Sequence, residues 1–223
     1  MNPGLYIVGT PIGNLEDISQ RALAVLKAAD LIVAEDTRHS GFLLSHYGIR
    51  KPILSCHKFN EQSRTHVVMD RIKSGAAVAL VTDSGMPGVS DPGSRMVRVC
   101  REQGLYVTAI PGPTAATTAV ALSGFGGRGF LFEGFLDHRD AARRKRLAEL
   151  AAQELPLVLY ESPYRLIKLM AAIEEVMGPR LVFVGREMTK KFEESTWGTP
   201  AEIRAAFEGR AVKGEIVVVV CPA

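Results

Sequence analysis

Residues 5–34, LYIVGTPIGNLEDISQRALAVLKAADLIVA, set the fold class of this chain. Leu5 to Val8 is a continuous apolar run, the length and character of a strand buried on both faces. After it Leu15, Ile18, Ala22, Val25, Leu26 and Ala29 recur at helical spacing and lead directly into a second apolar run, Leu31 to Ala34. Strand, helix and parallel strand make one βαβ unit. The same alternation continues outward, with strands expected at Pro52 to Cys56, Val78 to Val81 and Tyr106 to Ile110 and helices at about 61 to 73 and 93 to 103. At Ile110-Pro111-Gly112-Pro113 two prolines flank a glycine, so the strand ends and a helix begins at the second proline. That places a domain boundary there, giving residues 1–112 and 113–223.

The second half opens on a glycine-rich segment, Gly124 to Gly129, then an apolar strand, Phe130 to Phe132, and the basic stretch HRDAARRKR from His138 to Arg146, after which a helix is expected. Leu157 to Tyr160 reads as strand, and Leu166, Leu169, Met170, Ile173, Val176 and Met177 form the apolar stripe of another helix. Leu181 to Val184 and Ile216 to Val220 complete the strands, and Trp197 is expected on a short extended segment before a last helix.

Of 223 residues 47% are hydrophobic, enough for a sizeable core, so disorder is excluded as the default. The 27 Lys and Arg against 24 Asp and Glu give a net charge of only +3, so any nucleic-acid footprint must be local. Cys56, Cys100 and Cys221 are far apart, odd in number and without metal-ligand spacing, which fits a reducing compartment. Met1-Asn2-Pro3-Gly4 lacks the basic and apolar pattern of a leader, and no apolar run is long enough to span lipid. The expectation is a soluble cytoplasmic protein without a metal.

Chemistry is expected at three turns that follow predicted strands: Gly9 to Asn14, Asp83 to Gly88 and Pro111 to Thr114. In open α/β sheets ligands bind outside the carboxyl ends of the strands, and small residues let backbone groups approach them. Pro11 interrupts any G-x-G-x-x-G, and no G-x-x-x-x-G-K-[ST] occurs, so a phosphate-anchored dinucleotide or ATP is disfavoured. A nucleoside with a small zwitterionic tail suits what remains. Glu35-Asp36-Thr37-Arg38, Glu133, Glu161 and Arg186-Glu187 stand at strand ends, where each carboxylate serves equally well as acid, base or helix cap. In the basic stretch Arg139, Arg143, Arg144, Lys145 and Arg146 fall within eight residues, and on a helix Arg139, Arg143 and Arg146 share one face. They can follow a phosphate backbone, or form a solvated face paired with Glu149 and Glu154.

VGTPIGNLEDIS, AEDTR, LVTDSGMPGVSDPG, IPGPTAA, FEGFL with the basic run, and YESPYR, taken in this order and spacing, resemble the bacterial family of small-subunit ribosomal RNA methyltransferases I within the tetrapyrrole methylase superfamily. The similarity covers essentially the whole chain. It implies two α/β domains, the first with a mainly parallel five-stranded sheet and the second with a mixed sheet. It also implies S-adenosylmethionine as methyl donor in the cleft between the domains, a homodimer, and 16S rRNA, within the small ribosomal subunit, as partner. The acceptor in that family is the ribose 2′-hydroxyl of a cytidine in the decoding region. By position, Thr10, Pro11 and Gly13 match the family's first donor-site loop, Asp83, Gly85, Pro87, Ser90 and Asp91 its second, and Pro113, Thr114 and Ala115 its third, with Glu161 lining the cleft from the second domain. Met86 stands where threonine is commoner, and Asn14 where the superfamily's first loop ends in aspartate. The candidates for general base are Glu133, Glu161, Asp36 and Glu187. A small tetrapyrrole as acceptor, and a ribosome-binding protein without turnover, are the competing readings.

Overall fold

β1 (Gly4–Val8) is buried along its whole length because it lies between two parallel neighbours, β4 (Ala77–Val81) and β5 (Val107–Ile110). The computed structural model describes every residue, Met1–Ala223, and divides the chain into two units, Met1–Thr114 and Ala115–Ala223. In the first, β2 (Leu31–Ala34) pairs with β4 and with β3 (Ile53–Ser55), which completes an all-parallel sheet of order β3-β2-β4-β1-β5. Parallel neighbours need crossover helices. These are α1 (Gln20–Ala28), α2 (Thr37–His46), α3 (Glu61–Lys73) and α4 (Ser94–Glu102).

The period of two along the strands sorts the helices onto opposite faces. Tyr6, Val8, Ala77, Ala79 and Val81 pack with Ala22, Val25 and Leu26 of α1 and Leu43 and Leu44 of α2. Leu5, Ile7, Val78 and Leu80 point the other way, onto Val68, Met69 and Ile72 of α3 and Met96 and Cys100 of α4. Each such fully buried Leu or Ile contributes roughly 2 kcal/mol through its removal from water. The helices after the adjacent strands β1 and β4 therefore leave to opposite faces. This is the switch point at which open α/β sheets carry their ligands.

The second unit runs α5 (Ala115–Ser123), β6 (Leu131–Phe135), α6 (Asp140–Leu150), β7 (Leu157–Glu161), α7 (Leu166–Met177), β8 (Val182–Arg186), β9 (Glu194–Gly198), α8 (Pro200–Phe207) and β10 (Ile216–Val220). Its sheet, β6-β7-β10-β8-β9, is parallel only between β6 and β7. Val217 and Val219 of β10 face Ala116 and Ala119 of α5. Ile216, Val218 and Val220 face Leu147 of α6, Leu169 and Ile173 of α7 and Ile203 of α8. The expected extended segment at Trp197 is a full edge strand, and Thr199 and Glu202 form a reciprocal cap that starts α8. The helix expected after the basic stretch begins within it: α6 takes up Asp140 to Arg146, with Arg139 at its N-cap, because Ala, Arg and Lys are all strong helix formers. No helix is long and apolar enough to cross a membrane.

Candidate active site

The turns after β1, β4 and β5 lie side by side because their strands do, and contacts with no tolerance for larger residues bind them together. Thr10 and Gly85 form an isolated antiparallel bridge, with the Thr10 N–H donating to Gly85 O at 2.9 Å and the Gly85 N–H to Thr10 O at 3.2 Å. The Thr10 hydroxyl, 1% exposed, donates to Thr82 O at 3.2 Å. On the other side the Gly9 N–H donates to Ile110 O at 3.1 Å, and the Gly9 and Gly112 backbones touch. A Cβ on Gly112 would lie 2.8 Å from Gly9 Cα, and one on Gly9 would lie 2.7 Å from Gly112 Cα and 2.6 Å from Met86 Sδ. The departure at Met86 thus has a packing role, since its thioether covers Gly9. Asn14 accepts from the Glu16 N–H at 3.1 Å and caps a short helical turn.

The bridge gives two of the expected donor-site residues a structural part, since the Thr10 and Gly85 backbone groups pair with each other. They hold the turns after β1 and β4 together, and Pro11, Gly13 and Asp83 belong to the turns so joined. Gly85 needs its φ of +80°, and Ser90, with φ +65°, holds a left-handed conformation unusual for a residue with a Cβ, in the same segment as Pro87 and Asp91.

The turn after β2 joins this edge through the Asp36 N–H, which donates to Asp83 Oδ1 at 3.0 Å. It brings Glu35, which the sequence singles out only as part of a charged strand end. Burial, reinforced by the like charges of Asp91, Asp83 and Asp36, pushes the Glu35 carboxyl up to about 7. Asp36 itself caps α2: the Arg38 N–H donates to it at 2.8 Å and, with the Arg38 guanidinium, holds its carboxyl below the usual range. The cap alternative therefore describes Asp36, and the residue beside it is the perturbed one. Its signal in the sequence was position: the first carboxylate after a strand buried on both faces.

In the second unit each candidate carboxylate has its own cation. Glu161, 3% exposed, pairs with Arg165 at 2.6 Å. Glu133 sits where β6 shifts register against β7 and meets Arg146 at 2.7 and 2.8 Å. Burial raises the Glu187 carboxyl, but hydrogen bonds from Lys190 at 2.8 Å and the Glu215 amide at 2.9 Å outweigh it and leave it below the usual range. Ala115 opens α5. The arginines are similarly engaged. Arg139 pairs with Asp137 at 2.8 Å, Arg144 with Asp140 at 2.6 Å and with Glu175, and Arg146 also with Glu149 at 2.9 Å. The expected shared face fails at Arg143, whose side chain is 2% exposed and pairs with Asp140 at 2.5 Å, because that turn of α6 faces the core through Leu147 and Leu150. Glu149 does pair with the helix, whereas Glu154 binds Arg128 at 3.2 Å instead. Lys145 is exposed. Burial pushes the Cys56 and Cys100 thiols up to about 11, so neither is a nucleophile.

Residues 4–204 match the family described as Tetrapyrrole (Corrin/Porphyrin) Methylases. The chain is 46% identical over 219 residues to the ribosomal RNA small subunit methyltransferase I of Pasteurella multocida, covering 97% of this chain and 78% of that one. To the protein of the same name from Thermotoga maritima it is 47% identical over 215 residues, covering 96% of each. Among solved structures it resembles a cobalamin biosynthetic enzyme, cobalt precorrin-4 methyltransferase, with a TM-score of 0.73 at 18% identity over 97% of this chain and 94% of that one. Diphthine synthase gives a TM-score of 0.74 at 15% identity over 97% and 89%. The structural likeness establishes the fold, and the family match together with relatives near half identity establishes descent: this chain belongs to the tetrapyrrole methylase family, among the ribosomal RNA small subunit methyltransferases I.

Proposed function

We propose that this chain transfers a methyl group from S-adenosylmethionine to the ribose 2′-hydroxyl of a cytidine in the decoding region of 16S rRNA. The broad activity, S-adenosylmethionine-dependent methylation of ribosomal RNA, follows from the family; the acceptor atom and its place in the RNA are our reading. So are action on the small ribosomal subunit, a homodimeric state and a cytoplasmic setting. The observation that carries the reading is the carboxylate group at the switch point: the Asp36 N–H donates to Asp83 and brings Glu35 to the same edge, where burial and then the charges of Asp91, Asp83 and Asp36 raise its carboxyl, a setting that a sulfonium or ammonium group would suit. The turns also suit a donor without phosphates.

S-adenosylmethionine supplies a methyl group on positively charged sulfur. The chain's part would be alignment: Asp83, Pro11, Gly13 and Pro113, in turns fixed by the Thr10–Gly85 bridge and the Gly9–Gly112 contact, would hold the donor and orient it toward the acceptor oxygen. As the oxygen–methyl bond forms and the sulfur–methyl bond breaks, the hydroxyl proton must leave. We assign it to the Glu35 carboxylate, because the other candidates are tied to Arg146, Arg165, Lys190 or the α2 cap.

The test is methyl transfer from labelled donor to purified, unmodified small ribosomal subunits, with the product nucleotide mapped. Label on a cytidine ribose is the expected result. Transfer to a carboxylated tetrapyrrole and not to the subunit, or donor binding without any transfer, would replace this reading with the corresponding rival.

A further inference from the structure

The self-pairing of α6 leaves open what holds the RNA, and the C-terminal edge of the first sheet supplies an answer. Phe59, in the turn between β3 and α3, is 93% exposed, and Phe42, on the second turn of α2, is 68% exposed. Phe59 is not on a loose loop. The His57 N–H donates to Asn60 Oδ1 at 2.8 Å, the Phe59 N–H to His57 Nδ1 at 3.3 Å and the Asn60 N–H to His57 O at 3.0 Å, so the turn is bonded into a shape that holds the ring outward. The His57 ring meets it edge-on, with centroids 6.1 Å apart.

Polar and cationic side chains accompany the two rings along the chain, Lys58 next to Phe59 and Arg38 and His39 on the first turn of the helix that carries Phe42. Lys58 and His39 are exposed, and the Arg38 side chain, 92% exposed, touches only the rim carboxylate of Asp36 at 3.4 Å. The order β3-β2-β4-β1-β5 puts these residues on the same edge as the donor turns. β3 is two strand spacings, about 10 Å, from β4.

We infer that the β2–β3 side of this edge is the bed for single-stranded RNA, with bases stacking on Phe59 and Phe42 and phosphates meeting Arg38 and Lys58. This rests on the ribosomal RNA reading above and names the surface that serves it. Aromatic rings interleaved with cations are what unpaired nucleotides require, because every base offers a π-face and every step a phosphate. A second copy of the chain fits less well, since the cores of such interfaces are depleted of charge and both rings have an exposed cation close by in the chain, Lys58 next to Phe59 and Arg38 four residues before Phe42.

The probe is an unstructured oligoribonucleotide, followed by fluorescence anisotropy against salt, with S-adenosylmethionine calorimetry, sedimentation and small-subunit methylation run on the same proteins. Phe59→Ala is expected to weaken RNA binding about tenfold and Phe42→Ala/Phe59→Ala further, while Phe59→Trp retains it. Lys58→Ala is expected to flatten the salt slope by roughly one phosphate contact. Donor affinity stays unchanged in all of them. If the double variant binds RNA and methylates subunits as the wild type does, the surface is wrong and the ribosomal RNA reading stands. If the wild type sediments as a dimer that the double variant dissolves without loss of RNA affinity, the occupant is a second copy. A wild type that neither binds the oligonucleotide nor methylates subunits overturns both.

Discussion

The two sheets treat the carboxylates at their strand ends in opposite ways. In the mixed sheet of the second unit Glu133, Glu161 and Glu187 each meet a cation, Arg146, Arg165 or Lys190, within 2.8 Å. In the parallel sheet of the first unit burial raises the Glu35 carboxyl, and its neighbours Asp91, Asp83 and Asp36 add to that rise instead of neutralising it. Two of the second unit's pairs are set by local spacing, i,i+4 for Glu161 and i,i+3 for Glu187, and hold regardless of ligand. Among the causes that set the Glu35 carboxyl none is a cation; burial and then its acidic neighbours raise it, and either a proton or a bound positive group would relieve it. A charged residue at a strand end is therefore informative about function when its surroundings fail to balance it.

The contrast can be broken most forcibly at the contact that assembles the first unit's turns. Gly112→Ala places a methyl 2.8 Å from the Gly9 backbone, which cannot yield without separating the turns. Donor affinity by calorimetry should fall by about 100-fold, roughly 2.7 kcal/mol; an unchanged affinity would mean that the donor sits elsewhere. Next in size is Glu161→Gln, which leaves Arg165 without its carboxylate beside a buried site. It should lower unfolding stability by about 2 kcal/mol in denaturant titration, against a negligible change if the pair is balanced by solvent.

Glu35→Gln sharpens the contrast because its sign is reversed. A carboxyl whose pKa is raised on folding binds its proton more tightly in the native state, so its ionisation destabilises the fold progressively as pH rises from about 4.5 to about 7. The full shift corresponds to ~3 kcal/mol, which partial exposure of the side chain reduces to about 1 kcal/mol. The variant should be more stable than the wild type by about 1 kcal/mol at pH 8, equally stable at pH 4, and deficient in methyl transfer. In the wild type, transfer should rise with pH through a group near 7, and the rise should be absent from the variant. The smallest effect belongs to Arg146→Ala, where the exposed Arg146 and Glu149 exchange each other for water and the half-buried Glu133 keeps part of its carboxylate in solvent. Its thermal midpoint and the salt slope of RNA binding should match the wild type within error, and a clear loss of slope would return α6 to the RNA interface.

Much of the fold was legible because its signals are periodic. The run from Leu5 to Ala34 announced a parallel unit, and IVVVV announced the strand β10, whose central place in its sheet only the structure gives. What pattern could not show was pairing. Arg143 reads as one more member of a basic face, yet the turn that carries it also carries Leu147 and Leu150, and packing turns it inward. Thr10 and Gly85 were correctly drawn to the same region, but that they bond to each other depends on two strands meeting 75 residues apart in sequence. Glu35 was named only as one of several strand-end carboxylates and Phe59 not at all, because burial of the one among like charges and exposure of the other at 93% are properties of the assembled edge.

The central claim is that the turns after β1, β4 and β5 hold the methyl donor. Amide hydrogen exchange with and without S-adenosylmethionine tests it directly. Protection gained in residues 9–14, 83–91 and 111–114 is the predicted result. Donor binding that leaves all three segments exchanging as before would contradict the account.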